Sequence, residues 1–127
     1  MKKPKGWFVI EGVQSGDRTL EQQIKGLGHF FDTVKGETVL DVGCAEGLIS
    51  FLAEAHGAAR VDAVESNHDY CTTAEKIKAE HRSSVFFNYR DASKYLNETP
   101  GTKWDTVLAL AVIHKAYEPA NFTRLLT

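Results

Sequence analysis

The stretch that most constrains this chain is Val39-Leu-Asp-Val-Gly-Cys-Ala-Glu-Gly47, an apolar run that breaks into D-x-G-x-x-x-G. Its length and β-branched content read as a buried strand over Thr38 to Val42, with Gly43 to Gly47 as the turn leaving it. A helix follows from Leu48 to His56, closed by Gly57 at the position after its C-cap. Glycine at such a turn lets the backbone bend tightly and lie against a ligand, with loop amides and the helix N-terminus expected to face it. A nucleoside cofactor is the natural occupant.

The rest of the chain repeats this alternation of short apolar runs and helical periodicity, which is the pattern of βαβ units and parallel strands. Trp7 to Ile10 reads as a short strand or clamp, and the polar, glycine-punctuated segment Glu11 to Arg18 as a loop and lid. Thr19 and Gln22 form a T-x-x-Q capping box for a helix over 19–34, whose Leu20, Ile24, Leu27, Phe31 and Val34 share one face. Arg60 to Val64 reads as a second strand ending in Glu65, and Ser66 or Asn67 caps a helix running to about His81. Ser84 to Tyr89 is a third strand, with a short helical turn from Arg90 through Leu96. Thr106 to Ile113 is the fourth and most apolar strand, and a last helix starts near Pro119.

These elements predict one α/β domain over 1–127: an N-terminal strand and lid over 1–18, then an α/β core over 19–127 with a mainly parallel sheet. A chain of 127 residues suits a single hydrophobic core. At 43% hydrophobic and 25% charged residues it is ordinary globular composition, which excludes disordered and low-complexity classes. The longest apolar run, Val107 to Ile113, is seven residues, against about 20 for a membrane span. The basic N-terminus has no apolar region behind it, so a cytoplasmic protein without membrane association is expected. A net charge of −2 disfavours strong nonspecific nucleic-acid binding. Cys44 and Cys71 lack disulfide-scaffold and metal-ligand spacing, and both read as buried thiols; no metal is expected.

Further candidate residues fall at the carboxyl ends of successive strands, where doubly wound folds place their ligands. Glu65 can accept both hydroxyl protons of a ribose, and Asp91 can accept from an exocyclic amino group such as that of adenine. Each also has a plain structural reading, Glu65 as a helix N-terminal carboxylate and Asp91 as a helix cap. A nicotinamide dinucleotide is the rival ligand, but the loop lacks the G-x-G-x-x-G spacing that seats a pyrophosphate.

From Thr38 to Lys115 the chain resembles the class I S-adenosylmethionine-dependent methyltransferases, which have a Rossmann-like three-layer α/β/α sandwich. Asp41-Val-Gly-Cys-Ala-Glu-Gly47 is similar to the family's first motif, and Glu65 to the acidic residue after its second strand. Asp91 is similar to the adenine-contacting acidic residue, and Trp104 to Lys115 to the fourth-strand motif. The resemblance implies S-adenosyl-L-methionine as cofactor and S-adenosyl-L-homocysteine as product. It implies a cofactor site of Asp41, Gly43, Cys44, Ala45, Gly47, Leu48, Glu65, Ser66, Asp91, Ala92 and Leu110, with strands in the order third, second, first, fourth. Ala45 stands where many members carry the middle glycine, a mild change of one methyl.

Arg18 is a candidate partner for the methionine carboxylate, since a guanidinium fork matches that group. His114, expected at the cofactor side of the fourth strand, is the candidate catalytic base, its alternative being a histidine that caps the strand end. Lys115 and Tyr117 are its neighbours on the acceptor side. The Asn/Asp-Pro-Pro-aromatic signature of amino-methylating nucleic-acid enzymes is absent; Ala111-Val-Ile-His114 stands there instead. A small-molecule acceptor is therefore expected. The family usually continues beyond the fourth strand, so that strand is expected to pair with a second copy, with the Trp7 to Ile10 strand or with a partner protein. The alternative function is a non-catalytic S-adenosylmethionine-binding module, or a subunit whose partner completes fold and site.

Overall fold

The structure, a computed structural model, describes residues 5–8, 15–18 and 26–109. Its elements are β1 (Lys5–Phe8), β2 (Ser15–Arg18), α1 (Gly28–Thr33), β3 (Thr38–Val42), α2 (Leu48–Ala55), β4 (Arg60–Glu65), α3 (His68–His81), β5 (Phe86–Tyr89), α4 (Ala92–Glu98) and β6 (Thr106–Leu108). The main sheet is four-stranded, in the order β5-β4-β3-β6, with every pairing parallel. This is the order expected for the methyltransferase-like fold.

Strand alternation splits the core into two layers. Val39, Val61 and Ala63 face Ile49 and Ala53 of α2, and Val34, Phe30 and Phe31 from α1 and its end pack on the same cluster. Leu40, Val42 and Val64 face the other way, against Ala92, Tyr95 and Leu96 of α4, with Trp104 and Val107 packed at the side. Four of β3's five residues are buried, Val39 and Leu40 completely. Full burial of such a side chain contributes about 1.5–3 kcal/mol, so β3 anchors both layers and holds the turn after it in place.

Two polar ties fix the entry to β6. The Thr38 amide donates to Asp105 Oδ2 at 2.8 Å. The indole Nε1 of Trp104 donates to Asp62 Oδ2 at 2.8 Å, and Arg60 Nε donates to the same carboxylate at 3.2 Å. Asp62 is buried in β4, so these partners satisfy a charge that would otherwise be costly to enclose.

Several sequence boundaries are corrected. The first strand begins at Lys5 rather than Trp7 and is described to Phe8, residues 9–10 lying outside the described residues, and Ser15–Arg18 is not loop but a strand lying parallel to it in a separate two-stranded sheet. Among the described residues the β1 strand pairs with β2 and not with β6. Among the described residues β6 pairs with β3 alone. The helix expected over 19–34 starts only at Gly28, because Gly26 has φ +84°, a left-handed geometry no helix can pass through. Residues 19–25 lie outside the described residues, as do the helix from Pro119 and the end of the fourth strand at 110–113. The third strand starts at Phe86 rather than Ser84, since the Ser84 amide donates to Glu54 Oε2 and the Val85 amide to Ser83 Oγ instead of joining a ladder.

Candidate cofactor site

Gly43 to Gly47 leaves β3 at the carboxyl edge of the sheet and closes a turn in which the Gly47 amide donates to the Cys44 carbonyl at 2.9 Å. The neighbouring strand holds this turn. Gly43 and Cys44 amides both donate to the Val64 carbonyl, at 2.8 and 3.1 Å, and the Ala45 amide donates to Glu65 Oε1 at 2.8 Å. The amides at 43, 44, 45 and 47 are thus taken by acceptors within the chain. This corrects the expectation that loop amides face a ligand: the amides at 43, 44, 45 and 47 do not form a row of free N–H donors. A pyrophosphate needs such a row at the helix N-terminus; a ligand without phosphate does not.

Two features of the turn are invisible in composition. Ala45 has φ +50°, in the left-handed region that costs a residue with a Cβ about 1–2 kcal/mol. Gly47 has φ +92°, and a Cβ there would meet Phe87 Cζ at 2.8 Å and Phe51 Cε2 at 3.0 Å. Phe51 and Phe87 pack ring to ring, with centroids 5.4 Å apart, and so support the turn from the helix side. The signal for Phe87 lay in the sequence only as an apolar residue of the third strand.

Glu65 ends β4 beside this turn. Its Oε1 holds the Ala45 amide, and its Oε2 accepts from the Ser66 and Asn67 amides at 3.0 and 2.9 Å. Asn67 then caps α3 through its side chain, which accepts from the Tyr70 amide at 3.1 Å. Asp91 caps α4 in the same way, its Oδ1 accepting from the Lys94 amide at 3.1 Å, and Ala92 behind it is buried. Both carboxylates therefore perform the structural task while standing at the ends of adjacent strands.

Asp41 is 3% exposed and lies under the turn, its Oδ2 accepting from Ser50 Oγ at 2.7 Å. Burial raises its pKa to about 6, with the charge of Glu65 adding to that and the Ser50 hydrogen bond opposing it. Sequence reading missed Ser50 as the partner. Cys44 is buried beside it, and desolvation pushes its thiol well up, so it behaves as a small apolar filler. Leu48 is half-buried at the start of α2, and Ser66 serves through its amide. The structure thus gathers Asp41, Gly43, Cys44, Ala45, Gly47, Leu48, Glu65 and Ser66 at the β3–β4 edge, with Asp91 and Ala92 at the end of β5. Leu110 and His114 lie outside the described residues, as does the Arg18 side chain. An apolar groove of about 360 Å³ runs between α2 and α3, lined by Leu48, Phe51, Leu52 and Ile77 among others, so Leu48 is shared between it and the turn.

Residues 39–127 match the family described as a methyltransferase domain, well over half of the chain. The chain belongs to the S-adenosylmethionine-dependent methyltransferase family. The methyltransferase domain is 37% identical over 90 residues to a ribosomal protein L11 methyltransferase from Thermotoga maritima, a match covering 68% of this chain and 33% of that protein. It thus spans about a third of the length of the curated relatives it matches. Among solved structures, WbdD, co-crystallised with a kinase inhibitor, aligns with a TM-score of 0.79 at 18% identity, over 97% of this chain and 31% of that one. A Trypanosoma brucei PRMT1 enzyme-prozyme complex with AdoHcy aligns with a TM-score of 0.60 at 20% identity, over 69% of this chain and 28% of that one. These two likenesses show the methyltransferase fold. Among the described residues of the domain no helix is long and apolar enough to cross a membrane.

Proposed function

We propose that this domain binds S-adenosylmethionine at the β3–β4 edge and transfers its methyl group. The observation that carries the reading is the turn from Gly43 to Gly47, whose amides at 43, 44, 45 and 47 are taken by the chain itself while acidic side chains stand at the adjoining strand ends. Such a site disfavours a pyrophosphate, which would find acceptors and negative charge there, and favours hydroxyl and amino donors beside a positively charged sulfonium. In this reading Glu65 accepts from the ribose and Asp91 from the adenine amino group through the oxygen not engaged in capping. The glycine turn lies under the methionine part, Ala92 and Leu110 border the adenine and the floor, and Arg18 pairs with the methionine carboxylate.

When bound, S-adenosylmethionine supplies a methyl group on a cationic sulfur that is already a good leaving group, so the protein contributes mainly proximity and orientation. His114 takes the acceptor's proton where the acceptor carries one. For the acceptor, the relatives named for ribosomal protein L11 support a protein ahead of the small molecule expected from the sequence.

Calorimetric titration with S-adenosylmethionine, S-adenosylhomocysteine and NAD, repeated on Glu65→Ala and Asp91→Ala, tests the site. Binding of the first two, weakened about tenfold or more in each variant by loss of a hydrogen bond to a charged group, is expected. Binding of NAD in their place would overturn the reading. Turnover with a methyl-labelled cofactor then separates an enzyme from a binding module, and label in precipitable protein separates a protein acceptor from a small molecule.

A further inference from the structure

We propose that Glu65 is a positioning residue for the glycine turn, with its two oxygens divided between tasks: Oε1 holds the buried Ala45 in its left-handed geometry, and Oε2, shared by the amides of the exposed Ser66 and Asn67, is the oxygen that gives up one of its bonds when a ligand is met. This rests on the reading of the turn as the cofactor's cradle. A residue with a Cβ stays at φ +50° only where its surroundings over-determine it, and the Ala45 amide is pinned by a charge-assisted hydrogen bond of 2.8 Å to Glu65 Oε1. The adjoining amides of Gly43 and Cys44 share one acceptor, the Val64 carbonyl, immediately before Glu65. The Glu65 backbone is itself tethered, since Cys71 Sγ donates to its carbonyl at 3.4 Å. Turn and strand end therefore form one clasp, and Glu65 Oε1 is its outermost point.

The division of labour follows from counting acceptor sites. A carboxylate has about four lone-pair positions, and three backbone amides already occupy Glu65. A ribose diol brings two donors: one fits the position left open on Oε1, which accepts a single amide, and the other displaces one of the two amides on Oε2. The donors on Oε2 are amides of the exposed Ser66 and Asn67, so a bond there exchanges with a ligand readily; Ala45 is 5% exposed and its bond to Oε1 persists.

Amide hydrogen exchange on the ligand-free chain tests this. In the parent protein the residue 45 amide is expected to be protected like those of Gly43 and Cys44. Glu65→Gln keeps one carbonyl oxygen, which satisfies two amides at the Oε2 position, and turns its amino group toward the Ala45 amide. It is expected to speed exchange about tenfold at 43, 44, 45 and 47, the effect of losing one hydrogen bond to a charged group. In Ala45→Gly/Glu65→Gln a substantial part of that loss at 43, 44 and 47 is regained, because glycine takes the left-handed geometry without strain. A residue 45 amide that exchanges freely in the parent overturns the proposal even if Glu65→Gln does not fold. So does a loss confined to residue 45, or one equal in both backgrounds. Since no ligand is present, failure of S-adenosylmethionine to bind in calorimetry removes the cofactor reading and leaves the clasp standing.

Discussion

Gly47→Ala isolates what the turn after β3 requires. Gly47 has φ +92°, and an added methyl pays the left-handed penalty of about 1–2 kcal/mol. The same methyl lands 2.8 Å from Phe87 Cζ and 3.0 Å from Phe51 Cε2, so two packed rings have to give way; crowding of this kind costs about 1–3 kcal/mol. The sum, about 2–5 kcal/mol, is a large share of the roughly 5–15 kcal/mol that holds a domain of this size together. The reciprocal change two residues earlier has the opposite balance. Ala45→Gly relieves a left-handed φ of +50° but loosens the unfolded chain by about 0.5–1 kcal/mol, which leaves it close to neutral. Urea unfolding of both variants, followed by circular dichroism, is the assay. Phe87→Leu added to Gly47→Ala should return the crowding part and leave the backbone part. If Gly47→Ala unfolds within about 0.5 kcal/mol of the parent, below the backbone penalty alone, the left-handed turn described here is wrong.

Three further outcomes are expected. Asp41 has its pKa raised from 3.8 to about 6, so the folded chain binds this proton more tightly than the unfolded one, and the group costs stability as pH rises from about 4 to about 6. Asp41→Asn keeps an acceptor for Ser50 and should gain on the parent across that window by up to about 3 kcal/mol, then stay level, in unfolding curves taken at a series of pH values. Asp62→Ala should cost about 2–4 kcal/mol by orphaning the Trp104 indole N–H and leaving Arg60 without its partner, with a matching change in tryptophan fluorescence as the loop before β6 loosens. His114→Ala should lower methyl transfer about 10²–10⁴-fold while leaving S-adenosylhomocysteine affinity unchanged; equal turnover, or a parallel loss of affinity, rejects the base assignment.

What was readable in the sequence was local. The β-branched run at Thr38–Val42, the glycines at 43 and 47, the cap at Asn67 and the helix break at Gly57 each act through neighbours a few residues away, and their elements stand where periodicity put them. Parallel order followed from alternation, since a strand, a helix and another strand leave few ways to bury both faces. The reading failed where a local signal was incomplete: the capping box at Thr19 says nothing of the left-handed Gly26 that stops a helix from running through to α1.

Tertiary structure decided the rest, because it depends on acceptors and neighbours far away along the chain. The turn amides turned inward only because β4 brings the Val64 carbonyl and Glu65 alongside, about 20 residues on in sequence. Asp41 became a buried acid because α2 folds Ser50 over it, and Asp62 found Trp104 across 42 residues. A residue's type states what it can donate or accept; which partner it meets, and how much water is left beside it, is set only when the sheet assembles.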